Sequence, residues 1–304
     1  MTRDELLGIA CLIGGVVLFS TVEVAGKIIG TRVHPVVLTF IRFSLTGVVL
    51  IALSIPLLRL RIRKLTLEDY GVFLLNGTIG ITLALSFYHI ALLILEKAAS
   101  AAVIISVNPV FVIICARFIN KEAWRAETWI AACLGTGGVL CFALETGSVT
   151  AKSLTGLGLM LLAAWLFAMS VCISKRFVAR YGAMVLMGYS SLFGSLLLLP
   201  FVAFHISPDS LRTLRDAWVP VLYLSVIGTA VAYVLYYHGL LNTSAQMGGM
   251  IFFLKPVLAS LLAVAILGES VNAWMLAGMA LIISGVALII IRGMGDRGTA
   301  RGAP

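Results

Sequence analysis

Ten long apolar runs follow one another along the 304 residues, each bounded by charged residues or by Gly and Pro. They cover approximately 6–29, 34–58, 70–94, 98–119, 126–144, 154–174, 183–204, 217–239, 243–267 and 272–291. Each run approaches the ~20 residues that an α-helix needs to cross a bilayer. The pattern predicts an all-α integral membrane protein of ten transmembrane helices, joined by connections of a handful of residues. The first run carries Glu23 and Lys27 and is too long for a cleaved signal segment, so it is expected to be a span.

Composition narrows the class. Hydrophobic residues make up 61% of the chain, charged residues 12%, and mean hydropathy is +1.10. Soluble domains hold about 45–50% apolar and about 25% charged residues. A soluble enzyme, a disordered chain and a collagen-like fibre are excluded. The net charge is +9. With the N-terminus placed in the cytoplasm, fourteen of the 22 Lys and Arg residues fall in inner segments and six in outer ones. Arg42 and Lys255 lie within spans. This excess predicts that both termini are cytoplasmic. The charges are spread over five short segments rather than one stripe, so no nucleic-acid partner is expected. The five cysteines lie in apolar stretches without a Cys-x-x-Cys pair, which predicts neither disulfides nor a metal site. No Gly-x-x-x-x-Gly-Lys-Ser/Thr loop occurs, and no cofactor is expected.

The chain also repeats itself. Gly8, Leu18, Phe19 and Lys27 match Gly156, Leu166, Phe167 and Lys175. Tyr88-His89 matches Tyr237-His238, and Pro109, Glu122 and Gly138 match Pro256, Glu269 and Gly285. The expected organisation is a first five-helix repeat over 1–150, a second over 151–292, and a short basic cytoplasmic tail over 293–304. Five spans is an odd number, so the second repeat enters the membrane inverted. Inverted repeats mark alternating-access carriers, in which two halves rock about a central site.

The residues that carry this pattern resemble the EamA family of the drug/metabolite transporter superfamily. They are His34-Pro35 with Arg42, Tyr88-His89-Ile90-Ala91-Leu92, the small run Ala98-Ala99-Ser100-Ala101-Ala102, Asn108-Pro109 and Lys121-Glu122. In the second half they are Lys255-Pro256 and Gly268-Glu269. Lys121-Glu122 departs from the Gly-Glu typical of that position. The resemblance implies ten helices in a bacterial inner membrane and the transport of a small metabolite, read here as export.

Polar groups within spans carry the site expectation, because a mid-membrane charge costs about 2.5–3.5 kcal/mol on insertion scales. Lys255 lies about twelve residues into the ninth span, near the bilayer centre, and Pro256 after it is expected to bend the helix and free a carbonyl. Asn108 precedes Pro109 at the equivalent point of the first half. Lys255 and Asn108 are the candidate contacts for an anionic group, with Trp165 and Tyr189 as aromatic neighbours; Phe19, Phe167, Tyr233, Tyr237 and Phe253 are further candidates to line a cavity. The bland alternative for Lys255 is an internal salt bridge. Glu23 and Arg42 lie at similar depth near the outer side and are expected to pair, as a gate or as a structural ion pair. His89 and His238 are mirror mates near opposite faces, and either a proton-coupling or a packing role fits them.

The function expected is a secondary transporter of an amino acid or other carboxylate-bearing solute. Its partners are that solute and membrane lipid, and a monomer suffices because both repeats lie in one chain. A membrane enzyme using His238 and Gln246 on a lipid-linked substrate, and a channel, are the alternatives.

Overall fold

Hydrocarbon offers no partner to a peptide N–H or C=O, so a chain within it satisfies its backbone internally. The computed structural model describes residues 3–29, 33–59, 64–95, 105, 107–145, 154–258, 261 and 273–300, and every regular element among them is helical. Six helical stretches are long and apolar enough to cross a membrane, and a bent pair makes seven. Asn108–Ile119, Ala126–Cys141 and Ala245–Leu258 are shorter apolar helices.

Helix α1 spans Arg3–Ile29 and α2 spans Pro35–Arg59. Helix α3, Leu67–Gly77, runs through a π-helical segment, Thr78–Leu83, into α4, Ala84–Leu95. Next come α5, Asn108–Ile119, α6, Ala126–Glu145, and α7, Leu154–Tyr181. Gly182, at φ 84°, makes the tight turn into α8, Ala183–Leu196, a conformation glycine adopts without strain. The seventh run, read from sequence as one helix, bends by 51° into α9, Leu199–His205. Pro200 explains the bend: it lacks an N–H and its ring excludes the carbonyl one turn back. Sequence reasoning missed α10, Pro208–Asp216, a short amphipathic helix capped by Ser207. Helix α11, Trp218–Ser225, passes through a second π-helical segment, Val226–Val231, into α12, Ala232–Asn242. Helices α13, Ala245–Ile251, and α14, Ala273–Ala300, complete the order.

The ninth run breaks where Pro256 requires it. The chain leaves α13 for a turn at Phe252–Phe253, and the Lys255 N–H bonds the Phe252 carbonyl at 3.0 Å instead of one a full turn back. Phe252 is the fourth residue before Pro256, the carbonyl that a proline ring displaces.

The main packing pairs are α1 with α12, α2 with α8, α4 with α7, and α6 with α14. Many of these contacts occur twice. A side chain on Gly138 would lie 2.7 Å from the Gly278 carbonyl, and one on Gly285 would lie 2.9 Å from the Ala131 carbonyl. Gly80 faces Ser170 as Gly228 faces Val22. Ser44 bonds Ser195 as Gly47 abuts Leu192, and Thr46 bonds the Ser225 carbonyl as Gly194 abuts Gly77. In every case the second contact joins residues 147 or 148 positions away from the first. The two π-helical segments, beginning at Thr78 and Val226, share the 148-residue spacing.

Gly138→Ala pushes a methyl group into a backbone carbonyl and is expected to cost about 1–3 kcal/mol. Its neighbour Gly137 has open space at the Cβ position, so Gly137→Ala is expected to be neutral or to stabilise by about 0.5–1 kcal/mol. Unfolding midpoints in detergent test the contrast; equal losses for both would remove close packing as the reason for Gly138.

Candidate functional site

Four segments draw polar or aromatic side chains into the helix packing. Asn108, at the start of α5, donates its amide to the Ala164 carbonyl of α7 at 2.7 Å. Trp165, the next residue of α7, meets the Phe111 ring edge-on at 5.3 Å. Helix α13 runs antiparallel to α5, with Gly249 packed on Val112. At 1.5 Å per residue, Lys255 therefore lies at about the level of Asn108. Phe252 stacks on Phe19 at 5.5 Å and meets Tyr236 at 5.1 Å, and Phe19 meets Tyr233 at 4.8 Å. Arg42 reaches the same group from α2. Its Nε donates to Thr229 Oγ1 in the second π-helical segment, and its guanidinium lies 5.1 Å from the Phe43 ring centre. Arg42 thus lies beside the aromatic group of Phe19, Phe43, Tyr233, Tyr236 and Phe252, whereas Asn108 and Trp165 sit at the contact of α5 with α7.

Tyr189 stands elsewhere. It stacks on Phe73 at 5.2 Å, and Phe73 contacts Tyr181, the last residue of α7. Trp165 and Tyr181 are sixteen residues apart on α7, or about 24 Å along its axis. The structure therefore does not bring Tyr189 to Asn108 or Trp165. His89, on α4, is within electrostatic range of Arg42 and His34, whereas His238 is exposed on the outside of α12. Glu23 lies on α1, but its side chain falls outside the described residues, and with it the expected Glu23–Arg42 pair.

Sequence reasoning did not single out Asn76. It is 2% exposed, at the end of α3. Its carbonyl oxygen accepts from Ser170 Oγ at 3.0 Å, and its amide donates to Ser174 Oγ and Ser190 Oγ, each at 3.2 Å. Ser174 Oγ donates to the Tyr237 hydroxyl at 2.7 Å. One amide thereby ties α3, α7, α8 and α12. The available signal was an amide inside an apolar run, Leu74-Leu75-Asn76-Gly77.

The two ends of the bundle differ. At one, His34 stacks on His205 at 4.1 Å; burial and that neighbouring ring push His34 below the ordinary imidazole range. At the other, Asp69 accepts from Arg180 at 2.6 Å, Tyr181 at 2.8 Å and the Thr66 N–H at 2.8 Å. The same end holds a cavity of about 640 Å³ lined by residues that include Asn120, Lys121, Glu122, Lys175, Arg176 and Ser244. Among the described residues no group of His, Cys, Asp and Glu is arranged to hold a metal ion.

The model of the EamA-like transporter family matches this chain twice, over residues 6–144 and 154–291. The chain belongs to that family and is an integral membrane protein of the transporter type. An "uncharacterized transporter" of Clostridium kluyveri is 28% identical over 275 residues, covering 88% of each chain. The "uncharacterized inner membrane transporter YicL" of Salmonella typhimurium is 29% identical, covering 85% of this chain and 86% of its own. A protein of known crystal structure shares the fold with a TM-score of 0.78 at 22% identity, over 95% of this chain and 96% of that one.

Lys121 holds φ at 59°, the left-handed region that costs a side-chain-bearing residue about 1–2 kcal/mol. The matching position of the second half in the sequence is Gly268, a residue type that carries no such penalty. Lys121→Gly is expected to stabilise the protein by up to about 1 kcal/mol, read as a higher unfolding midpoint. A lower midpoint would show that the ammonium makes a contact worth more than the strain.

Proposed function

We propose that this protein is a secondary transporter that carries a small carboxylate-bearing solute, such as an amino acid or organic acid, by alternating access. The observation that carries the reading is Arg42, a cation held within the helix packing by Thr229 beside the rings of Phe43 and Tyr233, and we assign Lys255 and Asn108 to the same solute pathway. Cations satisfy a carboxylate, and ring faces accommodate an ammonium or an apolar side chain.

The duplicated contacts, the twin π-helical segments and the double family match support two inverted five-helix units with ten spans in all. The Lys and Arg excess in the segments after α2, after α5 and at the end of α7 supports a cytoplasmic location for the end that holds Glu122, in a bacterial inner membrane. His238 is exposed while Gln246 is buried with its amide on the Ala123 carbonyl, so the pair lacks the convergence an enzyme would need. Outward transport is the direction we assign.

Reconstituted protein is expected to exchange labelled carboxylates saturably, with flux sidedness giving direction. Lys255→Ala is expected to lower apparent affinity about 10–100-fold, the worth of one charge-assisted hydrogen bond, with Lys255→Arg retaining part of it. Exchange of organic cations alone, or unchanged carboxylate affinity in Lys255→Ala, would overturn the site. Non-saturating conductance would favour a channel.

A further inference from the structure

The loop after α5 and the start of α13 belong to different halves of the chain, yet one carboxylate joins them. Glu122 accepts the Ala245 N–H at 2.7 Å and the Gln246 N–H at 3.1 Å. The Gln246 side chain returns a bond to the Ala123 carbonyl at 3.2 Å. Ala245 is 0% and Gln246 7% exposed, so two buried backbone donors depend on this side chain. Ser244 caps only the next free donor, Met247 N–H, at 3.0 Å. Lys175 on α7 attracts Glu122 and donates to the Leu240 and Leu241 carbonyls, closing the end of α12 onto the same point. Beneath lie Val112, Cys115, Ala116, Ala168, Cys172 and Ala245, packed as one buried cluster. Beside them is the cavity of about 640 Å³.

We propose that Glu122 is the latch that holds this side of the transporter shut, and that releasing Ala245 and Gln246 from its carboxylate opens a route from that face to the centre. The inference rests on the alternating-access reading and names the contact that must break in each cycle. The charged and titratable neighbours of Glu122 are Lys121 and Arg125 in its own loop, Lys175, Arg176 and Cys172 on α7, and Cys115 on α5. The segment from Gly239 to Ser244 brings none.

The latch is pH-dependent in a defined direction. Burial raises the Glu122 carboxyl above the ordinary carboxylate range, and this outweighs the two backbone hydrogen bonds and Lys175, which act the other way. Release into water restores the ordinary range. The latched form therefore holds a proton more tightly, acid keeps the side shut, and rising pH favours opening.

Cys115 and Cys172, 3% and 0% exposed beneath the latch, are built-in reporters. The test uses full-length protein in membrane vesicles with Cys11, Cys133 and Cys141 replaced by Ala. A membrane-impermeant thiosulfonate is supplied to each face in turn. Glu122→Ala is expected to raise the labelling rate at least tenfold from the Glu122 face only. Parent-like labelling, or equal acceleration from both faces, overturns the latch. Should Glu122→Ala fail to fold, Glu122→Gln, which cannot ionise, decides: the ratio of parent to Gln rates is expected to rise from pH 5 to pH 8. A flat ratio overturns the proposal. Carboxylate flux in the parent vesicles tests the transporter reading separately.

Discussion

A peptide group in hydrocarbon that lacks a partner costs several kcal/mol, and this one penalty shapes every irregular point of the molecule. Where the chain leaves the regular α-helix, it does so beside something that completes its hydrogen bonds. In the second π-helical segment the Thr229 hydroxyl donates to the Leu224 carbonyl, five residues back, and accepts from Arg42. In the first, the Thr82 hydroxyl reaches the Gly194 carbonyl of α8 at 2.8 Å. At the start of α13 the backbone donors that the helix leaves unpaired go to Glu122 and Ser244. Each of these irregularities thus brings a polar side chain into the helix packing. The polar interior is a consequence of the broken helices, and a solute crossing the membrane meets groups whose presence the backbone had already required.

The same economy explains the small residues. Helices α6 and α14 approach until a Cβ on Gly138 or Gly285 would touch the opposite carbonyl. Lipid tails are as apolar as Leu, so burial in a bilayer does not by itself drive helices together; close van der Waals packing must. Phe253 shows how tightly this is balanced, its ring occupying the space that a side chain on Gly135 would need. Because the contacts recur 147 or 148 residues on, the same solution was reached once and used twice.

Much of this was legible in the sequence. The apolar runs located the helices, because length and hydropathy respond to the bilayer alone. Pro256 announced the break in the ninth run, since the lost N–H and the ring clash are properties of the residue itself. Asn108 and Lys255 drew notice in the sequence because an amide or ammonium in an apolar run is conspicuous anywhere. The bend at Pro200 went unread although the same logic applied, and the π-helical segments left no mark, because Thr78–Leu83 and Val226–Val231 are ordinary apolar sequence that widens only in response to neighbours. Asn76 shows the deeper limit. Its importance lies in meeting Ser170, Ser174 and Ser190, three hydroxyls from two other helices, and no pattern along the chain reveals which serines share a face across the bundle. Tyr189 shows the same limit: its place near the end of α7, apart from Trp165, is set by helix pairing.

These interactions also divide the bundle mechanically. A satisfied buried network resists disassembly, because each bond broken leaves polar atoms in a medium that cannot replace it. The Asn76 hub therefore binds α3, α7, α8 and α12 to one another. Contacts between α6 and α14 are close van der Waals contacts of glycines against the opposite helix. Between the two stands Glu122, whose bonds to Ala245 and Gln246 are strong but lie at the membrane edge, where water is ready to take over both partners. The alternating-access cycle proposed above needs one contact that is firm when made and inexpensive to break. Buried deeper, the carboxylate would not release; fully exposed, it would hold nothing.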